Sequence, residues 1–145
     1  MIVIIGIVAL VALIACVYGL SSGMFISGHA IDDTSGTGIV MDRYNNSANN
    51  STVSVIQGAS FMIELPENPT TGYQWNVTVT EGLTIANDEY VCDNPGIAGA
   101  GGIHNWNITA SGEGAHQFKA VYMRSWEPLT GSEEMFVLNV DVSKN

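Results

Sequence analysis

Residues 134–142 read EMFVLNVDV, a short run rich in valine and large apolar side chains. The apolar residues that interleave with more polar positions are Met135, Val137, Val140 and Val142. This two-residue period is typical of a β-strand with one buried face, although Phe136 and Leu138 blur the register. The stretch therefore predicts a strand that needs partner strands elsewhere in the chain.

Short β-branched runs recur along the chain between turn residues, and no window of the sequence has the apolar spacing of an amphipathic helix. The further predicted strands are Gly38 to Tyr44, Thr52 to Gln57, Ser60 to Leu65, Tyr73 to Glu81, Ile103 to Ala110 and His116 to Met123. Thr84 to Val91 is a candidate eighth strand. Seven or eight short strands punctuated in this way predict an all-β domain, built as an antiparallel β-sandwich.

Residues 1–20 carry no charged side chain and, as a helix, would span about 30 Å, the thickness of a bilayer core. The positive start of an ordinary signal peptide is missing, so a cleaved signal and an uncleaved membrane anchor both stay open. Residues 13–16 resemble a lipobox, which makes Cys16 a candidate lipidation site; the alternative is a small apolar residue in a spanning helix. We expect an exported, extracytoplasmic protein tethered to the membrane.

Residues 21–36 are rich in Ser, Gly, Thr and Asp, which predicts a flexible tether. Residues 37–145 then form one domain, because 145 residues are too few for two well-buried cores. Cys92 is the only cysteine of this domain, and it cannot pair with a Cys16 that is lipid-modified or buried in a membrane. We therefore expect no intrachain disulfide, and a small packed side chain at Cys92.

The chain has 14 acidic residues against 4 Lys and Arg, a formal charge of −10, which argues against nucleic-acid binding. Its histidines, His29, His104 and His116, show neither an HExxH pattern nor paired Cys/His spacing. A Gly-x-Ser-x-Gly elbow is also missing from the sequence, although a triad assembled only in three dimensions leaves no local signature. We predict no metal site, no cofactor and no catalytic residue.

Residues 68–75 read NPTTGYQW, a motif with the composition of a tight loop. Pro69 fixes one backbone angle, Thr70 and Thr71 supply small hydroxyl side chains, and Gly72 permits a turn with positive φ. The motif predicts a stiff, narrow loop with an uncharged tip. An ordinary hairpin turn is the alternative.

Residues 99–102 read GAGG, within a glycine-rich passage that begins at Gly96. Missing side chains let backbone N–H and C=O groups approach another surface, so the segment could pair in extended form with a partner. A flexible connector is the alternative. The segment lacks the Lys-Ser/Thr ending of a phosphate loop.

Residues 124–128 read RSWEP and lie between two predicted strands. The segment therefore places a large aromatic residue, Trp126, and a rare cation, Arg124, where exposure to solvent is expected. An exposed tryptophan in a loop is typical of an interface. The alternative is that Trp126 folds back over the end of the sandwich while Arg124 pairs with a nearby carboxylate.

The motifs NPTTGYQW, GAGG and RSWEP follow the chain order of the N-P-T-T-G-Y, G-x-G-G and R-P-W/F loops of a known family. Over residues 37–143 the sequence resembles the chagasin family of cysteine-protease inhibitors. Ser125 is the departure, because the family usually has proline there. We therefore expect this loop to be less rigid and to contribute less affinity.

The resemblance implies an immunoglobulin-like sandwich whose three loops gather at one end and enter the active-site cleft of a papain-like cysteine protease. Thr70 and Thr71 would sit at the catalytic cysteine. Gly99 to Gly102 would follow the substrate-side groove, and Arg124 and Trp126 would pack on the opposite flank. The residues that it assigns to protease binding are Asn68, Pro69, Thr70, Thr71, Gly72, Tyr73, Gly99, Ala100, Gly101, Gly102, Arg124 and Trp126. The alternative function is an exported surface adhesion or structural module that binds another protein or a glycan.

Overall fold

The computed structural model describes residues 41–144, which form eight strands. The strands are β1 (Asp42–Tyr44), β2 (Ser51–Ile56), β3 (Ser60–Glu67), β4 (Gln74–Val79), β5 (Leu83–Cys92), β6 (Gly102–Ala110), β7 (Gly114–Met123) and β8 (Glu134–Ser143). Single 3₁₀ turns cover Asn46–Ala48 and Pro69–Thr71. Within 41–144 no helix is long and apolar enough to cross a membrane. The predicted membrane segment 1–20 with Cys16, and the predicted tether 21–36, lie outside the described residues.

The predicted all-β class is confirmed, and each predicted strand corresponds to an observed one with boundaries shifted by a few residues. The candidate eighth strand is real and forms β5. Of the first predicted strand, only the part from Asp42 onward lies among the described strand residues.

The strands form two four-stranded sheets in the orders β1-β3-β6-β5 and β2-β8-β7-β4. This is the expected immunoglobulin-like sandwich. Most neighbours are antiparallel, but β1 runs parallel to β3 and β2 runs parallel to β8. Both parallel pairs lie at a sheet edge. The strands β1 and β2 follow each other in the chain, yet they belong to different sheets.

The core lies between the two inner faces and is apolar and aromatic. Its largest fully buried side chains are Trp106, Phe61, Phe118, Phe136, Ile63, Leu65, Ile108, Leu138 and Val140. Burying a large apolar side chain contributes about 1.5–3 kcal/mol, so this interior supplies the main driving force for folding. Cys92 is a half-buried free thiol.

The register of β8 corrects one expectation. Its buried side chains are Phe136, Leu138, Val140 and Val142. Met135 is exposed and Val137 is only half-buried, so the predicted inner face was wrong in its first half. The strand pairs without a register shift with β7, and the strict two-residue period therefore places its even-numbered residues together inside.

Strand pairing brings three connections to one end of the sandwich. Gly102, the first residue of β6, pairs with Glu67 at the end of β3 and with Cys92 at the end of β5. Gln74, the first residue of β4, pairs with Met123 at the end of β7, and β8 starts beside the same end. We name these connections the NPTTGY loop (68–73), the glycine loop (93–101) and the tryptophan loop (124–133).

Candidate functional site

The NPTTGY loop is a compact turn held by its own hydrogen bonds. Asn68 Oδ1 accepts from the backbone N–H of Thr70 at 3.2 Å and from the Thr70 hydroxyl. The Thr71 hydroxyl donates to the Asn68 carbonyl oxygen at 2.7 Å, and the N–H of Gly72 donates to the Pro69 carbonyl oxygen at 2.9 Å. Gly72 adopts a φ of 82°, which leads the chain back into β4 at little cost for glycine. Pro69 is buried while Thr70 and Thr71 are exposed, so the loop presents an uncharged tip as predicted.

An aromatic group fastens this loop to the sandwich. The Tyr122 hydroxyl accepts from the backbone N–H of Asn68 at 3.0 Å. The ring of Tyr122 also stacks on Tyr73, with 5.4 Å between centroids, and lies 4.9 Å from the ring of Trp75. Trp75 Nε1 in turn donates to the carbonyl oxygen of Pro66 at 2.9 Å. Both ends of the loop are therefore fixed to the same aromatic group, in which Trp75 is buried and the two tyrosines are half-buried.

Arg124 ties the tryptophan loop to the NPTTGY loop. Its Nε donates to the carbonyl oxygen of Thr71 at 3.2 Å, and its guanidinium carbon lies 4.5 Å from the centroid of the Tyr73 ring. Arg124 also forms an ion pair with Glu127 at 3.0 Å, as expected in the alternative in which Arg124 pairs with a nearby carboxylate. The N–H of Glu127 donates to the Arg124 carbonyl oxygen at 3.1 Å, which closes the turn around Ser125.

Trp126 is the most exposed large apolar side chain of the described residues, at 69%. One edge of its indole lies against Gly72, since a Cβ atom at that glycine would lie 2.5 Å from Cη2 of the indole. Trp126 therefore does not fold into the sandwich, and it extends the surface formed by the NPTTGY loop.

The glycine loop joins the group through one side-chain hydrogen bond. Asn68 Nδ2 donates to the carbonyl oxygen of Gly99 at 3.3 Å. A Cβ atom at Gly99 would meet nothing within 4 Å, so its backbone is open to a partner. Ala100 and Gly101 are half-buried, and Gly101 lies tightly against the Glu67 carbonyl oxygen.

Like Pro69, Gly102 is a predicted contact residue that the structure buries. It is buried within β6, and a Cβ atom there would overlap the carbonyl oxygen of Val91. Glycine is needed at this position because β5 and β6 approach each other closely. The structure therefore gives Gly102 a role in strand packing, and its contact with a protease stays a prediction.

The far half of the tryptophan loop is organised by Glu133. Its carboxylate accepts from the N–H of Thr130 at 2.6 Å, from the Thr130 hydroxyl and from the N–H of Gly131. The hydrogen bonds from Thr130 are the main cause that lowers the pKa of Glu133 to about 2. The carboxylate therefore stays ionised in mildly acidic solution and can keep accepting these hydrogen bonds.

A charged cluster, buried at Glu67 and exposed at Asp88, lies beneath the NPTTGY loop. Glu67, only 4% exposed, accepts from the backbone N–H of Trp75 at 3.0 Å and from His104 Nδ1 at 3.0 Å. His104 Nε2 is paired with a carboxylate oxygen of Asp88, and the imidazole stacks on Trp106 at 4.1 Å. Burial opposes the charged imidazole, but the hydrogen bonds to Asp88 and Glu67 outweigh it and raise the pKa of His104 to about 9.

Sequence reasoning did not single out this cluster or Tyr122. One signal for Glu67 was present, because it continues the inward-facing alternation of Phe61, Ile63 and Leu65 along β3. A carboxylate at such a position needs a buried partner. The partner His104 lies 37 residues away, so local sequence could not identify it.

Comparison with known proteins agrees with this architecture. The family model described as chagasin family peptidase inhibitor I42 matches residues 54–140, more than half of the 145-residue chain. Amoebiasin-1 of Entamoeba histolytica is 41% identical over 96 residues, which cover 65% of this chain and 92% of that protein. Chagasin of Trypanosoma cruzi is 29% identical over 96 residues, covering 62% of this chain and 87% of that protein.

A solved structure gives the same result for the fold. The solution structure of Amebosin superimposes with a TM-score of 0.61 at 37% identity, covering 71% of this chain and 98% of that one. The described part of the chain thus corresponds to nearly the whole of these relatives. The chain belongs to the chagasin family, a family of peptidase inhibitors and not of enzymes.

Proposed function

We propose that this chain inhibits papain-like cysteine proteases by inserting the NPTTGY loop into the active-site cleft, flanked by the glycine and tryptophan loops. The observation that carries the proposal is that the three loops, distant in sequence, are hydrogen-bonded to one another at one end of the sandwich. Asn68 donates to Gly99, and Arg124 donates to Thr71. A surface organised before binding avoids much of the ordering cost of association.

The distribution of exposed apolar side chains supports an interface at this end. In the described part of the chain, five of the six exposed large apolar residues lie in or beside the loops: Val91, Ile97, Trp126, Leu129 and Met135. The sixth, Ile56, lies at the opposite end. Apolar residues gathered at one end, with a tryptophan near the tip, are typical of a surface that a partner covers.

The shape of the tip explains why the loop would inhibit a protease without being cut. Thr70 and Thr71 lie in a 3₁₀ turn fixed by Asn68 and by the hydrogen bond from Gly72 to Pro69. Hydrolysis requires a scissile carbonyl in near-attack geometry at the nucleophile. A turn held by this many internal hydrogen bonds resists the rearrangement that such geometry needs.

The glycine loop and Trp126 would then contact the two sides of the active-site cleft. Gly99 offers an open backbone that can form main-chain hydrogen bonds with an extended groove. On the other side, Trp126 offers a large apolar surface next to Gly72. Arg124 is half-buried and engaged with Tyr73, so its role is to orient Trp126 and the tip.

Titration of papain with the fragment 37–145, following peptide hydrolysis, tests this function. The fragment contains all the buried residues of the core, and the relatives consist almost entirely of the matching region. We expect reversible, stoichiometric inhibition at submicromolar concentration. Absence of inhibition at micromolar concentration would contradict the proposal and favour the adhesion or structural module.

We also propose that residues 1–36 hold the inhibitor at the outer face of a membrane. The support is the uncharged stretch 1–20, with its lipobox-like run ending at Cys16, followed by a polar stretch suited to a tether. Mass spectrometry of the membrane fraction tests this location. A lipid adduct on Cys16 or an intact N-terminal segment supports it, whereas full-length protein found only in the soluble fraction contradicts it.

A further inference from the structure

The charged cluster below the NPTTGY loop has the geometry of a device that holds the loop in shape. We propose that Glu67, His104 and Asp88 form a latch that positions residues 68–74 for protease binding. This inference rests on the proposed function. Glu67 directly precedes the loop, and its carboxylate accepts a hydrogen bond at 3.0 Å from the backbone N–H of Trp75, the second residue after the loop. One side chain therefore closes the base of the inhibitory loop.

His104 determines where this carboxylate points. Both ring nitrogens face carboxylate oxygens. Nδ1 faces an oxygen of Glu67, and Nε2 faces an oxygen of Asp88. Ionised carboxylates only accept hydrogen bonds, so both nitrogens can donate only when the imidazole is protonated. The resulting cation lies against the carboxylate of Glu67 beneath the loop. The imidazole itself is clamped by stacking on Trp106, with an interplanar angle of 6°.

The strands around His104 bring few other side chains close to its imidazole. Glu67 approaches it from β3, Asp88 and the ring edge of Tyr90 approach from β5, and Trp106 follows on its own strand. Asp88 is 56% exposed, so the outer end of the latch reaches solvent. The register shift between Ile85 and Asn87 brings Asp88 opposite Trp106, where it can reach the imidazole.

Fold stability alone gives little reason for this arrangement. Burying charges is costly, and well-packed apolar residues in place of a buried ion pair are often as stable or more stable. Glu67 Oε2 instead accepts two hydrogen bonds, from Trp75 N–H and from His104 Nδ1. Together these bonds fix the distance between the two ends of the loop. Glu67 is thus a positioning residue for inhibition, and it acts through the loop.

Two variants test the latch. Glu67→Gln removes the charge while keeping the size of the side chain, and Asp88→Asn weakens the hold on His104 from the exposed side. In both we expect the inhibition constant for papain to rise, by about tenfold for Glu67→Gln, because a charge-assisted hydrogen bond at the loop base is lost. In the free fragment we expect faster amide exchange at Thr70, Thr71 and Trp75.

Val142→Ala is the matched control, because Val142 is buried at the other end of the core. It should lower the melting temperature while leaving the inhibition constant and the loop exchange rates unchanged. If Glu67→Gln and Asp88→Asn lower the melting temperature but leave both of those quantities at wild-type values, the latch is overturned. If the unchanged fragment does not inhibit papain, the proposed function fails, while the exchange rates of the free fragment still decide whether the latch orders the loop.

Discussion

The indole of Trp126 covers Gly72 so closely that a methyl group on that glycine would lie 2.5 Å from indole Cη2. The two residues belong to different loops and meet only in the folded domain. Their contact makes the NPTTGY loop and the tryptophan loop one continuous surface.

Trp126→Ala is expected to weaken inhibition strongly and to change stability little. The side chain is 69% exposed, so the fold loses little buried area, whereas a protease would lose a large apolar anchor. We expect the binding free energy to weaken by about 2 kcal/mol, which raises the inhibition constant roughly thirtyfold. Ile56→Ala, at an exposed apolar residue of the opposite end, is the control and should leave inhibition unchanged. Equal inhibition by the Trp126→Ala variant and the wild type would assign Trp126 to the fold only.

Arg124→Lys should weaken inhibition although the charge is kept. A lysine ammonium cannot donate to Thr71, lie over Tyr73 and pair with Glu127 in the planar geometry that the guanidinium provides. We expect the inhibition constant to rise about fivefold, corresponding to one hydrogen bond of about 1 kcal/mol. Arg43→Lys is the control, because that exposed arginine pairs with Glu64 on the other sheet. Matching effects of the two substitutions on inhibition would show that Arg124 does not orient the loops.

Gly102→Ala should destabilise the domain itself. The added methyl group would overlap the Val91 carbonyl oxygen between paired strands, so β5 and β6 must separate locally. Overpacking of this kind costs about 1–3 kcal/mol or more. Gly99→Ala is the comparison, since it meets only the strain of a φ of 82°. Urea unfolding measures both, and a smaller loss for Gly102→Ala than for Gly99→Ala would contradict the packing role.

The His104 cluster predicts a loss of stability on the alkaline side. Because the pKa of His104 is raised to about 9 in the folded domain, the cluster contributes its full stability below the ordinary pKa of 6.5. That contribution disappears as the pH rises through 9. The free energy of unfolding should therefore fall more between pH 6 and pH 10 in the wild type than in Asp88→Asn, whose other titrating groups are the same. Parallel pH profiles for the two proteins would refute this linkage.

The strands and the loop motifs were predictable because both are local properties of the chain. Period-two runs and turn residues indicated the strands, and NPTTGYQW, GAGG and RSWEP indicated the loops. The inner face of β8 was misassigned because apolar residues occupy both of its faces, and only pairing with β7 decides which face is inside. The parallel pairing of β1 and β2 at the sheet edges is likewise set by tertiary structure.

The supports of the site could not be read from sequence, because they join residues far apart in the chain. Tyr122 reaches Asn68 across 54 positions, and Arg124 reaches Thr71 across 53. Gly102 belongs to the GAGG motif, yet the close approach of two backbones explains its lack of a side chain. Sequence therefore indicated the exposed tips of the loops, and the structure adds the residues that hold those tips together.

Amide hydrogen exchange of the fragment 37–145, free and bound to papain, tests the central claim most directly. We expect protection in all three loops, at residues 70–72, 97–101 and 125–127, and unchanged exchange in the turns 57–59 and 111–114 at the opposite end. Protection confined to a single loop, or centred on the opposite end, would contradict the claim that the three loops bind the protease as one surface.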